Sequence, residues 1–382
     1  MKNPVITIIL LTIALKIFYL VFSFSIRTVW FENDEKLLDY NTVVSAFKKN
    51  DSWWYEKISV NGYPKITNKK DIGYSNGPEF TQSSWAFFPL YPALNRGLSI
   101  LSGKTFNLTA LIWSLVFSLA SFIGSFYFAR AQGKTKEKSL FMTTVFMLFP
   151  FHYYYSMFYT EAVYFTFLIY SFLAIHYKKI WLVPILIIPL VLVRPNGIVV
   201  LLPLLIYYLE AIGIVKKYKI DWPLLFSKNL LKPVLIFISG PIAFIIYGFY
   251  QQKMTGEFLA FSIAQQGWYR EFMFPLFSFF RRGDFATQFN SVYTIIIILF
   301  AFLISKRFSF SLNVFIWVSL ILPLCSGSVG SMHRFIIVIF PFYLFLGERI
   351  FASKIRPGWI ALLIILHFTT YLTWVTGHPL SC

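Results

Sequence analysis

The chain has little charge and little cysteine. Charged residues make up only 13% of its 382 residues, and its two cysteines are Cys325 and Cys382. A soluble domain of this length keeps much of its exterior charged, so this composition excludes an ordinary soluble protein. Two cysteines do not form a disulfide framework; a bridge between them stays open, but two unpaired thiols are predicted.

Several chemical motifs are also missing. The sequence has no phosphate-binding glycine loop, no dinucleotide fingerprint, no His-Glu-x-x-His, no Cys-x-x-Cys and no Asp-x-Asp. Nucleotide-dependent and metal-dependent chemistry depends on such patterns. We therefore expect no cofactor, no bound metal and no nucleotide-sugar donor.

Apolar residues dominate instead. The chain is 57% hydrophobic with a mean hydropathy of +0.65, and its apolar runs of about 15–22 residues match the length that a helix needs to cross a bilayer. We predict an all-α polytopic membrane protein with one domain over residues 1–382. The first apolar run lacks a small-residue cleavage site and is read as a retained helix. Helices are predicted at 5–26, 107–129, 139–155, 161–177, 180–193, 197–211, 233–250, 291–305, 309–325, 334–347 and 358–376.

The net charge of +18 is concentrated in alternate short loops. Short loops rich in Lys and Arg remain in the cytoplasm, so the N-terminus is predicted inside and the C-terminus outside. The excess charge then reflects topology, and nucleic acid is not an expected partner. A bacterial cell membrane, or the endoplasmic reticulum, is the expected location.

Two long segments interrupt the pattern of short loops, and both are predicted to lie outside. They cover residues 27–106 and 251–290. The first contains a run at 35–57 with helical apolar spacing, predicted to lie along the membrane interface, and an aromatic stretch at 85–92. Long polar and aromatic loops on one side are where a membrane enzyme holds its reactive groups.

Asp51 is the first candidate catalytic residue. It precedes Trp53, Trp54 and Tyr55, whose aromatic faces suit the apolar face of a sugar ring. A carboxylate beside these rings could act as a general base. Equally, Asp51 could cap the helix that follows it.

Glu161 and a group of cations form the second candidate set. Glu161 lies between two apolar helices, where an acid is costly unless it is paired or lines a wet cavity. It is therefore a functional candidate, with a helix cap or an ion pair to Arg194 or Arg334 as the alternatives. On the same predicted side lie Arg194, Arg270 and the pair His333-Arg334. An Arg fork matches phosphate oxygens, although each cation could also lie among lipid headgroups.

Taken in order, these motifs resemble the GPI-anchor mannosyltransferases that add the second mannose (the phosphatidylinositol-glycan class V family) and their bacterial relatives. One departure is Asn50, which stands where a Trp is usual. The motifs that carry the resemblance are Asp51-x-x-Trp54-Tyr55-x-x-Ile58 with Gly62-Tyr63, Phe87-Phe88-Pro89-Leu90-Tyr91-Pro92, Tyr159-Thr160-Glu161-Ala162, Arg194-Pro195-Asn196-Gly197, Gly256-Glu257 with Ala264-Gln265 and Trp268-x-Arg270, and Ser331-Met332-His333-Arg334-Phe335.

The resemblance implies a GT-C type fold and an inverting glycosyltransferase. Such an enzyme transfers mannose or a related hexose from a polyprenyl- or dolichyl-phosphate sugar to a glycan or glycolipid acceptor outside the cytoplasm. Asp51 is the implied catalytic carboxylate, and Glu161, the second residue of the predicted catalytic set, is expected to hold acceptor or sugar hydroxyls. The implied substrate-binding residues are Trp54, Tyr55, Tyr63, Phe88, Tyr91, Gln265 and Trp268, and the implied lipid-phosphate ligands are Arg194, Arg270, His333 and Arg334.

A transporter or flippase of a lipid or lipid-linked sugar is the main alternative. Such proteins place ionisable residues near the membrane midplane, often within inverted repeats. Here the ionisable candidates lie at predicted outer helix ends, and no repeat is detectable. Lys16, inside the first helix, is the exception; its side chain is expected to extend outwards to the interface.

Overall fold

The computed structural model describes residues 3–31, 36–37, 39–73, 81–216, 219–226, 231–280 and 283–381. Helix dominates this part of the chain, and its strands are confined to the hairpin β1 (Val215–Lys216) and β2 (Lys219–Ile220). The all-α prediction is confirmed, and a helix occurs in every segment predicted to be helical. The helices are α1 (Pro4–Trp30), α2 (Tyr40–Phe47), α3 (Ser52–Asn61), α4 (Leu90–Ser102), α5 (Phe106–Ala131), α6 (Lys136–Leu148), α7 (Glu161–His176), α8 (Leu182–Val193), α9 (Asn196–Val199), α10 (Leu201–Ala211), α11 (Trp222–Leu225), α12 (Leu231–Phe237), α13 (Ser239–Thr255), α14 (Ala260–Ala264), α15 (Phe285–Ser305), α16 (Phe310–Leu324), α17 (Met332–Ile336), α18 (Phe340–Ala352) and α19 (Arg356–Thr376).

Five helical segments within the described ranges are long and apolar enough to cross a membrane. They are α1, α5, Pro233–Thr255, α15 and α19. Shorter apolar helices accompany them at α7, α8, Asn196–Ala211 and α16. These helices fit a membrane-embedded protein.

Helix α5 packs on α1, α4, α6 and α7. Its buried face carries small residues, including Ser118, Ser121 and Gly124. A Cβ at Gly124 would lie only 2.6 Å from Ile169 of α7. Small residues allow helix backbones to approach closely, so this face fixes α7, and with it Glu161, against α5.

Several predicted helices are interrupted, and three of the breaks lie in segments that contribute to the site. The interfacial run at 35–57 forms α2 and α3 with a break between them, where Asn50 adopts φ 49°, a left-handed conformation that Asn tolerates. The helix predicted to reach residue 155 ends at Leu148 because Pro150 follows, and a 3₁₀ turn, His152–Ser156, replaces its end. The helix predicted at 334–347 is divided into α17 and α18 before Pro341.

Lys16 has partners inside the protein. Its ammonium donates to Ser114 Oγ (3.0 Å) and to the carbonyl of Ser156 (3.2 Å), and it lies 5.4 Å from the centre of the Phe47 ring. Lys16 therefore joins α1 to α5 and to the turn before α7. Cys325 carries a free thiol, and Cys382 lies outside the described residues.

Candidate functional site

A cavity of about 1460 Å³ collects most of the predicted site residues. Its walls come from the start of α3, the aromatic stretch before α4, the turn between α8 and α9, the segment after α14, the end of α16 and the start of α17. The predicted residues that line it are Asp51, Trp54, Tyr55, Phe88, Arg194, Gln265, Trp268, Arg270 and Arg334.

Arg334 connects the two candidate acids. Its Nη1 donates to Asp51 Oδ2 at 2.7 Å, and its Nε donates to Glu161 Oε1 at 2.9 Å. The guanidinium also lies 4.5 Å from the centre of the Tyr159 ring. Two acids and a ring face hold Arg334 in one orientation, with its side chain at the cavity wall.

Asp51 turns towards this arginine and not towards its own helix. It occupies the cap position of α3, yet its side chain makes no capping hydrogen bond. Its backbone N–H donates to the Tyr159 hydroxyl (3.3 Å), which donates in turn to the carbonyl of Lys49 (3.2 Å). The capping alternative is therefore wrong, and the carboxylate faces the cavity with 23% of its surface exposed.

Glu161 lies behind the cavity wall. Its side chain is fully buried at the first position of α7, and it does not line the cavity. The same oxygen, Oε1, accepts from Arg334 Nε and is paired with Arg194 Nη2, while Arg194 Nε donates to Thr160 Oγ1 at 2.7 Å. The ion-pair alternative thus occurs with both arginines at once. In this arrangement Glu161 orients cations that reach the cavity.

Arg270 differs from the other two arginines. Its Nη2 donates to the carbonyl of Gly330 at 3.0 Å, and its guanidinium lies 5.6 Å from the centre of the Phe335 ring. Among the described residues it forms no ion pair with a carboxylate. Burial, followed by the neighbouring charge of Arg334, lowers the pKa of Arg270 to about 10, which leaves it charged at neutral pH. It is the cavity cation whose charge is least compensated.

Aromatic rings form another wall of the cavity. Trp54 stacks on Phe87 with ring centres 5.9 Å apart, and Trp268 meets both rings edge-on, at 5.7 Å and 5.4 Å. Gln265 donates to the carbonyl of Ala86 at 3.3 Å, which joins the second long segment to the first. Phe87 was missed as a site residue, although its place in the aromatic stretch at 85–92 could have indicated it.

Besides Glu161, three predicted site residues do not line the cavity. His333 is fully buried, with Nδ1 2.9 Å from Asn290 Oδ1 and Nε2 3.4 Å from the Tyr154 hydroxyl. Tyr63 donates to the carbonyl of Phe87 at 2.6 Å, and Tyr91 packs edge-on against Tyr55. In this arrangement they support the walls and do not contact the cavity contents.

The described ranges contain no cluster of three or more His, Cys, Asp or Glu side chains arranged to hold a metal ion. Compared with known proteins, the sequence matches no protein-family model, and no curated protein matches it.

Proposed function

We propose that this chain is an inverting glycosyltransferase of the GT-C type with eleven membrane crossings. It would transfer mannose, or a related hexose, from a polyprenyl- or dolichyl-phosphate sugar to a hydroxyl of a lipid-linked or cell-envelope glycan outside the cytoplasm. One observation carries the proposal: the carboxylate of Asp51 and the guanidinium of Arg270, which has no ion-pair partner among the described residues, line the same cavity beside aromatic rings. A base, a phosphate ligand and a sugar platform are the groups that this reaction requires.

The reaction begins with an acceptor hydroxyl beside Asp51. The acceptor oxygen attacks the anomeric carbon from the face opposite the lipid phosphate, the bond to the phosphate oxygen breaks, and Asp51 takes the hydroxyl proton. Arg334 Nη1 holds Asp51 Oδ2, so the carboxylate has a fixed direction. This fixed position limits the reorganisation needed for proton transfer.

The leaving group gains negative charge when a phosphodiester becomes a phosphomonoester. Cations placed to meet that charge stabilise the transition state more than the ground state. Arg270 is assigned this role because Arg194 and Arg334 are already paired with Glu161. Arg334 remains close enough to add positive electrostatic potential at the leaving group. Glu161 keeps Arg194 and Arg334 in place.

The proposed activity is tested by measuring mannose transfer directly. Purified protein, incubated with labelled polyprenyl-phosphate mannose and candidate acceptors, is expected to release polyprenyl phosphate and to label one acceptor. Arg270→Ala is expected to lower kcat/KM for the donor roughly 10- to 100-fold, the value of a hydrogen bond to a charged group. Arg96→Ala, which removes an exposed arginine of α4 outside the cavity, is the matched control.

Two outcomes would count against this assignment. Donor use by Arg270→Ala equal to that of the wild type would remove Arg270 from the phosphate role. If intact donor moves between the bilayer leaflets and no acceptor causes release of polyprenyl phosphate, the result would favour a flippase.

The proposed orientation places the two ends of α5 on opposite sides of the membrane. In a background with Cys325 and Cys382 changed to Ser, Lys104→Cys is expected to react with an impermeant maleimide on intact cells. Lys136→Cys, exposed at the other end of α5, is expected to react only after permeabilisation. The reverse pattern would place the cavity in the cytoplasm and overturn the proposed topology.

A further inference from the structure

An exposed apolar segment follows Arg270, and we call residues 272–280 the apolar ridge. It is not a spanning helix but a short extended stretch followed by a 3₁₀ turn, Pro275–Phe279. Phe272 is 91% exposed and Phe280 78%, and more than half of each remaining large side chain named here is also exposed: Phe274, Leu276 and Phe277. A water-exposed surface of this composition is unusual in a folded protein and marks an interaction site.

The ridge is firmly attached to the end of α16. Ser278 Oγ donates to the carbonyl of Leu324 at 2.5 Å, and the backbone N–H of Met273 donates to the carbonyl of Cys325 at 2.9 Å. Gly327 adopts φ +69°, and a Cβ there would lie 2.7 Å from Met273. The exposed rings are therefore held in place by the backbone and are not the tip of a loose loop.

Helix α16, to which the ridge is attached, is too short to cross a bilayer core by itself. At 1.5 Å per residue, the 15 residues of α16 span about 22 Å, whereas a bilayer core is about 30 Å thick. The adjacent α15 has 21 residues and spans about 32 Å. A short turn joins the end of α15 to the start of α16, so the two helices lie at the same membrane depth there. The missing length of α16 therefore falls at its C-terminal end, where the ridge lies.

Part of the ridge backbone is internally bonded. Hydrocarbon has no water to satisfy free N–H groups, so irregular backbone is costly there unless it is internally bonded. The backbone N–H of Phe277 donates to the carbonyl of Phe274, and that of Phe280 donates to the carbonyl of Phe277. The N–H of Met273 is bonded to Cys325 as described above, and Pro275 has no N–H. Helix α15, which packs on α16, also has exposed apolar side chains, including Phe285 and Val292.

We propose that the apolar ridge lies in the hydrocarbon of the outer leaflet and completes the membrane height that α16 lacks. Its occupant is lipid and not a protein partner. Phe272 lines the cavity as well as being exposed, so the cavity opens sideways to lipid at this residue. Arg270, two residues earlier, then stands near headgroup depth. This placement rests on the proposed membrane orientation but does not depend on transferase activity.

The test measures contact with lipid directly. In the background with Cys325 and Cys382 changed to Ser, Phe277→Cys is labelled with an NBD fluorophore, and the protein is reconstituted in liposomes containing doxyl-labelled lipid. Quenching severalfold stronger than at a labelled Lys104→Cys, and comparable to that at Val292→Cys on α15, is expected. Phe274→Cys provides a second site on the ridge in case one substitution disturbs the fold.

Two results would overturn the proposal. Quenching at both ridge sites as weak as at Lys104→Cys, with an emission maximum typical of water, would place the ridge in solvent. A blue-shifted emission without lipid quenching would show that protein, either a second copy or another chain, covers the rings.

Discussion

Replacing Asp51 with Asn is expected to lower turnover by about 10²- to 10⁴-fold, the range lost with a general base. The fold is expected to persist, because the Asp51 side chain does not cap α3. The amide oxygen of Asn can still accept the hydrogen bond that Arg334 Nη1 now donates to the carboxylate. The measurement is initial-rate transfer, together with thermal unfolding of the purified variant in detergent.

Asp39→Asn is the matched control for this substitution. Asp39 lies in the same external segment and accepts from the backbone N–H of Asn41 at the start of α2, which Asn would do equally well. It is exposed and does not line the cavity. Wild-type rates in both variants would show that Asp51 does not act as a base, and a loss in both would indicate that the external segment is sensitive to any lost charge.

Much of the helical framework was predictable from the sequence because each helix is marked locally. Apolar runs separated by short charged loops identify α5, α15 and α19 without any knowledge of packing. The breaks were harder to predict. The separation of α2 from α3 depends partly on Lys49, whose ammonium donates to the carbonyls of Trp374 and Val375 at the end of α19.

The site was predictable in its residue types but not in its connections. Placing Asp51, Glu161 and the arginines on one predicted side required only topology. Arg334 binds Asp51, which lies 283 residues away in the chain, and Glu161, which lies 173 residues away. Only tertiary packing decides such long-range contacts. Adjacent positions also differ: Arg334 lines the cavity, while the ring of His333 is buried and bonds Asn290.

Glu161→Gln is expected to act first on stability. The carboxylate is fully buried and serves Arg194 and Arg334 together. Removing its charge leaves a buried guanidinium without compensation, and breaking a buried ion pair in this way costs about 3–5 kcal/mol. Thermal stability in detergent should therefore fall clearly below that of Asp51→Asn, and transfer should fall as the arginines lose their orientation.

Glu210→Gln supplies the comparison for a neutralised glutamate. The Glu210 carboxylate accepts from Ser311 N–H at 3.2 Å and from its hydroxyl, and within the described part of the chain it has no ion-pair partner. Gln retains an acceptor oxygen there, so no cation is left uncompensated and little stability should be lost.

A second substitution separates a structural effect from a chemical one. Adding Arg194→Met to Glu161→Gln removes the cation that has lost its only carboxylate partner among the described residues, so part of the lost thermal stability should return. Recovery of stability without full recovery of transfer would agree with a positioning role, because Arg334 would still lack its second anchor. If Glu161→Gln instead unfolds at the wild-type temperature and yet transfers nothing, Glu161 acts on the substrate itself, and the positioning role is wrong.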